Sequence, residues 1–444
     1  MSLMIALLLG IGILLLLILY FRFPAFISLL IASIVIGLLS GLDGVAVMET
    51  VQKGMGGTLG FVATIVGLGA MFGAILEKSG GAQAIAQALV KKMGADRAPL
   101  ALMLSGFVIA IPVFFDVAFI ILVPVIYALQ RQTQKSLLLY AIPLLAGLAA
   151  THSFIPPTPG PVAVADIIDV ELGWVIGMGL IVALPACLIG GLFFGKFIAK
   201  KIHIEAPAIV EGEMDGYKKL PSFGLIVSII LLPILFILLS TLLKSGLISI
   251  GDKMAQFIHF FGHPFAALIL ANAVAWYLLG IRRGYDKDAL FEVTMKSMAP
   301  AGTIILLTGA GGVLKQTLVD TNIGKIIAEG MVEWGLPIIV FAFIAAVLVR
   351  VLQGSATVSM ITAAGLVFPL IEGQGLGAPS KSLIVMAIAA GSIFLSHVND
   401  SGYWLVSQYL GMTEKETFRS WSIMTVVLSL AAFMVVMLLW VVVG

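Results

Sequence analysis

Four short segments of this chain place ionisable residues, hydroxyls and helix-breaking residues inside otherwise apolar sequence. They are Ile111–Asp116, Thr151–Pro161, Arg350–Thr357 and Ser396–Gly402. Their side chains could do proton or anion chemistry. Asp116 and Asp400 can each carry a coupling proton, or serve as structural carboxylates that cap broken backbone. His152 and His397 can relay protons, or sit in satisfied hydrogen bonds. Arg350 can attract a substrate carboxylate, or neutralise Asp116 or Asp400. Thr151, Ser153, Thr158, Ser355, Thr357, Asn399 and Ser401 can bond to a carboxylate or to sugar hydroxyls, or to their own backbone. Gly160 and Gly354 would open backbone N–H groups to a ligand. Exposed helix N-termini at such breaks supply donors and positive dipole ends, so the set suits a polyhydroxylated monoanion.

The elements that must position these residues are membrane helices. Of 444 residues, 61% are hydrophobic and 11% charged, with mean hydropathy +1.15; soluble domains carry roughly 25% charge. The expected fold class is an all-α polytopic membrane protein embedded in a lipid bilayer. Net charge of +2 shows no basic excess of the kind nucleic acid requires. The one cysteine, Cys187, excludes an internal disulfide and any multi-cysteine metal site. No G-x-x-x-x-G-K-[ST] loop and no nucleophile–base set appears, so neither an ATP-driven pump nor an enzyme is expected, and no cofactor or metal. The first apolar stretch lacks a basic leader and reads as a span, not a signal peptide.

About ten crossings are expected, at 3–20, 25–40, 57–76, 136–165, 173–195, 223–243, 264–279, 299–317, 382–406 and 421–443. The stretches 99–129 and 336–371 are interrupted midway, and each half is short for a full crossing. They read as two re-entrant hairpins, while 136–165 and 382–406 read as two broken helices. This layout collects most Lys and Arg on one side, including Lys196, Lys200, Lys201, Arg282 and Arg283. The other side holds Lys53, Lys244, Lys253, Lys325 and Lys381, so the first side is expected to be cytoplasmic and the termini outside.

Residues 57–195 and 299–444 share one order of elements: Gly-rich span, short amphipathic segment, broken hairpin, broken span, final span. The connection 77–98 is basic while 319–335 is acidic, as two copies of opposite orientation would be. The expected organisation is N-terminal scaffold helices at 1–56, a first inverted repeat at 57–195, a cytoplasmic loop and linking helices at 196–298, and a second inverted repeat at 299–444. Inverted repeats with interrupted helices are a signature of secondary transporters. A passive channel would use similar breaks without coupling residues, and broken-helix carbonyls could hold sodium instead of protons.

At these breaks the sequence resembles the gluconate permease (GntP) family of bacterial transporters. The resemblance spans essentially the whole chain. It rests on G-G-T-L-G at 56–60, G-L-G-A-M-F-G at 67–73, V-F-F-D-V-A-F at 113–119, P-P-T-P-G-P at 156–161, G-A-G-G-V at 309–313, G-S-A-T-V at 354–358 and S-H-V-N-D-S-G at 396–402. The resemblance implies import of gluconate or a related sugar acid with protons, across the bacterial cytoplasmic (inner) membrane. It further implies an elevator-type motion and a possible homodimer. One branch of the family carries D-serine; S-H-V-N-D-S-G is similar to the sugar-acid branches. Thr158 stands where many members have His; contact between that position and substrate would imply a specificity different from gluconate itself.

Overall fold

The computed structural model describes residues 3–207, 220–246, 248, 250–323 and 336–443, and every regular element among them is a helix. In chain order they begin with α1 (Leu3–Leu19), α2 (Ala25–Leu39), α3 (Gly44–Lys78), α4 (Gly81–Met93), α5 (Ala98–Ile109) and α6 (Phe115–Thr133). Next come α7 (Leu138–Phe154), α8 (Pro159–Ile168), α9 (Leu172–Ala186) and, after a π turn at Cys187–Phe193, α10 (Phe194–Ala199). The middle holds α11 (Phe223–Lys244), α12 (Asp252–Phe261), α13 (Pro264–Ala275) and α14 (Lys287–Asp320). The last are α15 (Ile338–Gln353), α16 (Ala356–Ile371), α17 (Ala378–Ile393), α18 (Ser401–Leu410), α19 (Glu414–Thr417) and α20 (Ile423–Val443).

By length and composition, eight helical stretches among the described residues could cross a membrane, and α1, α2, α5 and α15–α17 are shorter apolar helices. The third span starts at Gly44, not at residue 57. Asp43 caps it there, accepting from the Val45 and Ala46 N–H groups at 2.9 Å each. Most of the connection 319–335 lies outside the described residues.

Membrane helices gain little from hydrophobic sorting against lipid, so close packing of small residues holds them together. α3 and α14 cross where Gly54 meets Gly312: a Cβ on Gly54 would lie 2.7 Å from the Gly312 carbonyl oxygen. Thr50 and Gln316 both bond to Asp320 at one end of that seam, at 2.8 and 2.7 Å. α5 packs on α7 through Gly147, whose Cβ would sit 2.2 Å from the Met103 carbonyl oxygen. α15 packs on α17 in the same manner, where a Cβ on Gly391 would sit 2.4 Å from the Phe343 carbonyl oxygen. These two pairs bracket the site.

Helices stop and restart at four places inside this packing: 110–114, 155–158, 354–355 and 394–400. An unpartnered backbone group at membrane depth costs several kcal/mol. Side chains and local turns meet much of that cost. Ile155 N–H donates to Thr151 O at 3.0 Å. Asn399 Nδ2 donates to the Val351 and Leu352 carbonyls at 3.0 and 3.3 Å, and His397 Nε2 bonds to Val351 O at 2.9 Å. The break after α17 thereby caps the C-terminus of α15.

Candidate functional site

Three helices begin at one cavity of about 550 Å³. α6 presents Phe115 and Asp116 from its first turn. α16 presents Ser355, Ala356 and Thr357, and α18 presents Ser401 and Gly402. The first amides of a helix have no acceptor within it, and its N-terminus carries about half a positive charge. Two of the three starts carry an acid: Asp400 is the cap of α18 and Asp116 lies in the first turn of α6. α16 carries none. Its cap is the neutral Ser355, which accepts from Val358 N–H at 3.4 Å. That start is the one best suited to an outside anion.

The local chain explains why α16 begins there. α15 ends on Gly354 at φ 91°, a left-handed conformation that a side chain would strain. A Cβ at Gly354 would also lie 2.2 Å from Asn399 O, so the tip between α15 and α16 is wedged against the α17–α18 break. The two segments build one wall.

Arg350, in the last turn of α15, is 4% exposed and forms an ion pair with Asp400. Asp400 also accepts from the Ser396 hydroxyl and from Gly402 N–H, the latter at 3.0 Å. Ser396 Oγ accepts from the Trp421 indole N–H at 2.7 Å, and Ser396 N–H donates to Thr425 Oγ1 at 3.0 Å. A chain of contacts thus runs Trp421–Ser396–Asp400–Arg350 and fixes the guanidinium. Its Nε remains buried without a partner, as does Nδ1 of His152, and both residues line the cavity. Buried polar atoms are normally hydrogen-bonded, so these two orphans stand out among the residues that line the cavity. Asp116 differs from Asp400. It faces the cavity, exposed, with no hydrogen bond or ion pair among the described residues.

Of the residues singled out in the sequence, Asp116, His152, Ser153, Arg350, Gly354, Ser355, Thr357, Asn399, Asp400 and Ser401 come together on this cavity. Four do not line it. The Thr151 hydroxyl is buried and donates to Phe107 O at 2.9 Å. Thr158 donates to Ile155 O at 2.5 Å and faces a small recess beside Gly69 and Pro112. Gly160 packs on Met360, so closely that a Cβ there would lie 2.6 Å from the Met360 Sδ. His397 is spent on Val351 O. The sequence reading missed Trp421 and Thr425 from the start of the last span, and Pro300 and Ile304 from α14. Pro300 inside an unbroken helix was the available signal. Among the described residues no group of three or more His, Cys, Asp or Glu side chains is placed to hold a metal ion. The arrangement can hold an anion and its polar substituents, and Asp116 offers it a carboxyl without an ion-pair partner among the described residues.

Comparison with known proteins places this cavity in context. The GntP family permease model matches residues 1–443. The chain is 41% identical over 407 residues to the low-affinity gluconate transporter of Escherichia coli (strain K12), covering 92% of this chain and 91% of that protein. It is 38% identical over 422 residues to a gluconate permease of Pseudomonas aeruginosa, covering 94% and 93%. The Gnt-II system L-idonate transporter of Escherichia coli (strain K12) is 32% identical over 421 residues, covering 95% of each. In fold, the chain is similar to the Alcanivorax borkumensis YdaH transporter, with a TM-score of 0.65 at 15% identity over 94% of this chain and 97% of that one. Neisseria gonorrhoeae MtrF gives a TM-score of 0.63 at 15% identity over 94% and 95%. The match runs over nearly the whole chain: it belongs to the GntP permease family and is a multi-pass membrane transporter, not an enzyme.

Proposed function

We propose that this chain imports gluconate or a closely related sugar acid together with protons, as a secondary transporter of the bacterial inner membrane. The observation that carries the reading is the acid-free start of α16 on the same cavity as Arg350. A substrate carboxylate placed there meets the α16 amides and the guanidinium. Ser153, Thr357, Asn399, Ser401 and His152 are then within the same cavity for the hydroxyl groups. The family's gluconate and L-idonate relatives support the substrate class.

Asp116 is the proton carrier in this reading, because Asp400 is committed to Arg350, Ser396 and Gly402. Protonating Asp116 removes a negative charge from the cavity before an anionic substrate enters. That couples the two loads electrostatically.

The finer architecture belongs to the same proposal. The matching glycine seams of α5 on α7 and α15 on α17 support an inverted repeat over 57–195 and 299–444. Helix pairs α5–α6 and α15–α16 act as the re-entrant hairpins, around breaks at 155–158 and 394–400. Residues 1–56 serve as scaffold, 196–298 as a cytoplasmic linker, and the hairpins travel in an elevator-type motion within a homodimer.

The test is uptake of labelled gluconate into proteoliposomes under an imposed inward proton gradient, with and without sodium. L-idonate and D-serine serve as competitors. Accumulation that requires the proton gradient, ignores sodium and is competed by L-idonate supports the reading. Sodium-driven uptake would overturn the coupling, and D-serine preference the substrate. Asp116→Asn is expected to abolish accumulation against a gradient while retaining gluconate exchange; loss of both would remove Asp116 from the proton's path and place it in substrate binding.

A further inference from the structure

A second cavity lies away from the first, among the start of α5, the α6–α7 junction and α10. It has about 450 Å³ and is lined by Lys135, Lys196 and Lys200 with Asp96, over a floor that includes Pro99 and Leu139. Among the described residues none of the three ammonium groups makes an ion pair or side-chain hydrogen bond. Asp96 makes none either. Three cations and one anion therefore line a groove with two positive charges in excess.

The frame around the groove is fixed. The Ser136 hydroxyl donates to Ile202 O at 2.8 Å and receives Ile204 N–H at 3.2 Å, so it is already satisfied. Leu137 N–H donates to Ile204 O at 2.8 Å, and Arg131 donates to Pro207 O at 3.1 Å. Gly191 and Gly195 seat the α9–α10 segment directly on Ala146 and Pro143 of α7. The lysines thus stand on hydrogen-bonded, closely packed walls.

α10 also has a graded face. Phe193 at the end of the π turn, Lys196 and Phe197 of α10, and Lys200 just after it follow at i, i+3, i+4 and i+7, the spacing that shares one side of a helix. Phe193 is 63% and Phe197 51% exposed, and Leu188 and Ile189 continue the exposed apolar surface before them. Lys201 stands 4.3 Å from the Phe197 ring centroid. Along one helix the surface passes from aliphatic to aromatic to basic. That is the profile of a phospholipid from chain to headgroup. The sequence layout puts this groove on the Lys- and Arg-rich side, the side expected to face the cytoplasmic leaflet with its anionic lipids.

We propose that this groove binds the phosphate headgroup of an anionic phospholipid, with the acyl chains lying along Phe193 and Phe197. A free anion would meet the lysines alone, whereas a phospholipid would meet the lysines and the aromatic part of the face together.

The test uses the purified full-length protein in detergent. Thermal unfolding is followed on adding phosphatidylglycerol or cardiolipin, phosphatidylcholine, or inorganic phosphate alone. The expected result is a rise in Tm with the anionic lipids and none with phosphatidylcholine or phosphate. Combined Lys135→Gln, Lys196→Gln and Lys200→Gln substitution is expected to weaken the anionic-lipid midpoint at least about tenfold. Lys91→Gln with Lys92→Gln, exposed on α4, is expected to leave it unchanged. Phe193→Ala with Phe197→Ala is expected to weaken lipid binding too. Should the glutamine variant fail to fold, the Lys→Arg triple variant, which keeps the charge, must retain the lipid response. An equal response to phosphate, equal loss from the α4 pair, or full retention in the glutamine variant would overturn the proposal. Substrate competition in uptake does not enter these readouts, so the outcome is independent of the transport reading.

Discussion

Two of the four helix breaks among the described residues, at 155–158 and 394–400, have unlike fates. At 155–158 the backbone turns through prolines, and its polar side chain turns inward: Thr158 bonds to Ile155 O, 5% exposed, beside an apolar recess. At 394–400 the break is polar and strained. Leu395 holds φ 49°, His397 and Asn399 cap α15, and Asp400 anchors Arg350 on the main cavity. A left-handed leucine persists only where the surroundings impose it. The contrast teaches that a broken helix is not in itself a binding site. What makes one is a polar set that reaches across to a second element and leaves donors unspent.

Substitutions can test that contrast, and the largest effect is expected at Asp400. Asp400→Asn leaves the buried guanidinium of Arg350 without its counter-charge, a loss of roughly 3–5 kcal/mol. Thermal unfolding should show a strongly lowered Tm and vesicle uptake should be abolished. Wild-type uptake would break the link between this break and the site. Gly354→Ala comes next: it places a methyl on a left-handed residue already in contact with Asn399 O, at a cost of about 1–3 kcal/mol. Displacing the start of α16 should raise the KM for gluconate at least about tenfold.

Trp421→Phe keeps the ring against Phe115 but removes the N–H that holds Ser396. A single neutral hydrogen bond is worth about 1 kcal/mol, so the expected result is a KM raised about fivefold with expression unchanged. Loss of folding instead would assign Trp421 to packing alone. The smallest effect is expected on the other side of the comparison. Thr158→Val should cost about 1 kcal/mol in stability and move the KM for gluconate by less than about twofold. A switch of substrate preference in that variant would show that the proline break reaches substrate after all.

The break positions were legible because proline, glycine and charge stand out against long apolar runs. So was the membrane class, from composition. Helix starts were less so. α3 begins thirteen residues before the expected 57, since Asp43 caps a segment whose Glu49, Gln52 and Lys53 lower its hydropathy. Within the site, the sequence brought forward both broken segments on equal terms. Nothing in P-P-T-P-G-P reveals that Thr158 turns to its own carbonyl, or that Gly160 is pressed against Met360 of α16. Trp421 was invisible for the opposite reason: an aromatic at the start of an apolar span is ordinary until Ser396 is seen beside it.

By itself the sequence determined that this chain lives in a bilayer, that its helices are interrupted at four places, and that a carboxylate, a guanidinium and hydroxyls cluster at those interruptions. These follow from local transfer energies and backbone chemistry, which act residue by residue. The tertiary structure alone decided that Arg350 pairs with Asp400, fifty residues away, and that Asp116 is left open to the cavity. Which polar groups neutralise one another depends on how the α15–α16 tip meets the α17–α18 break, and no local rule encodes that distance.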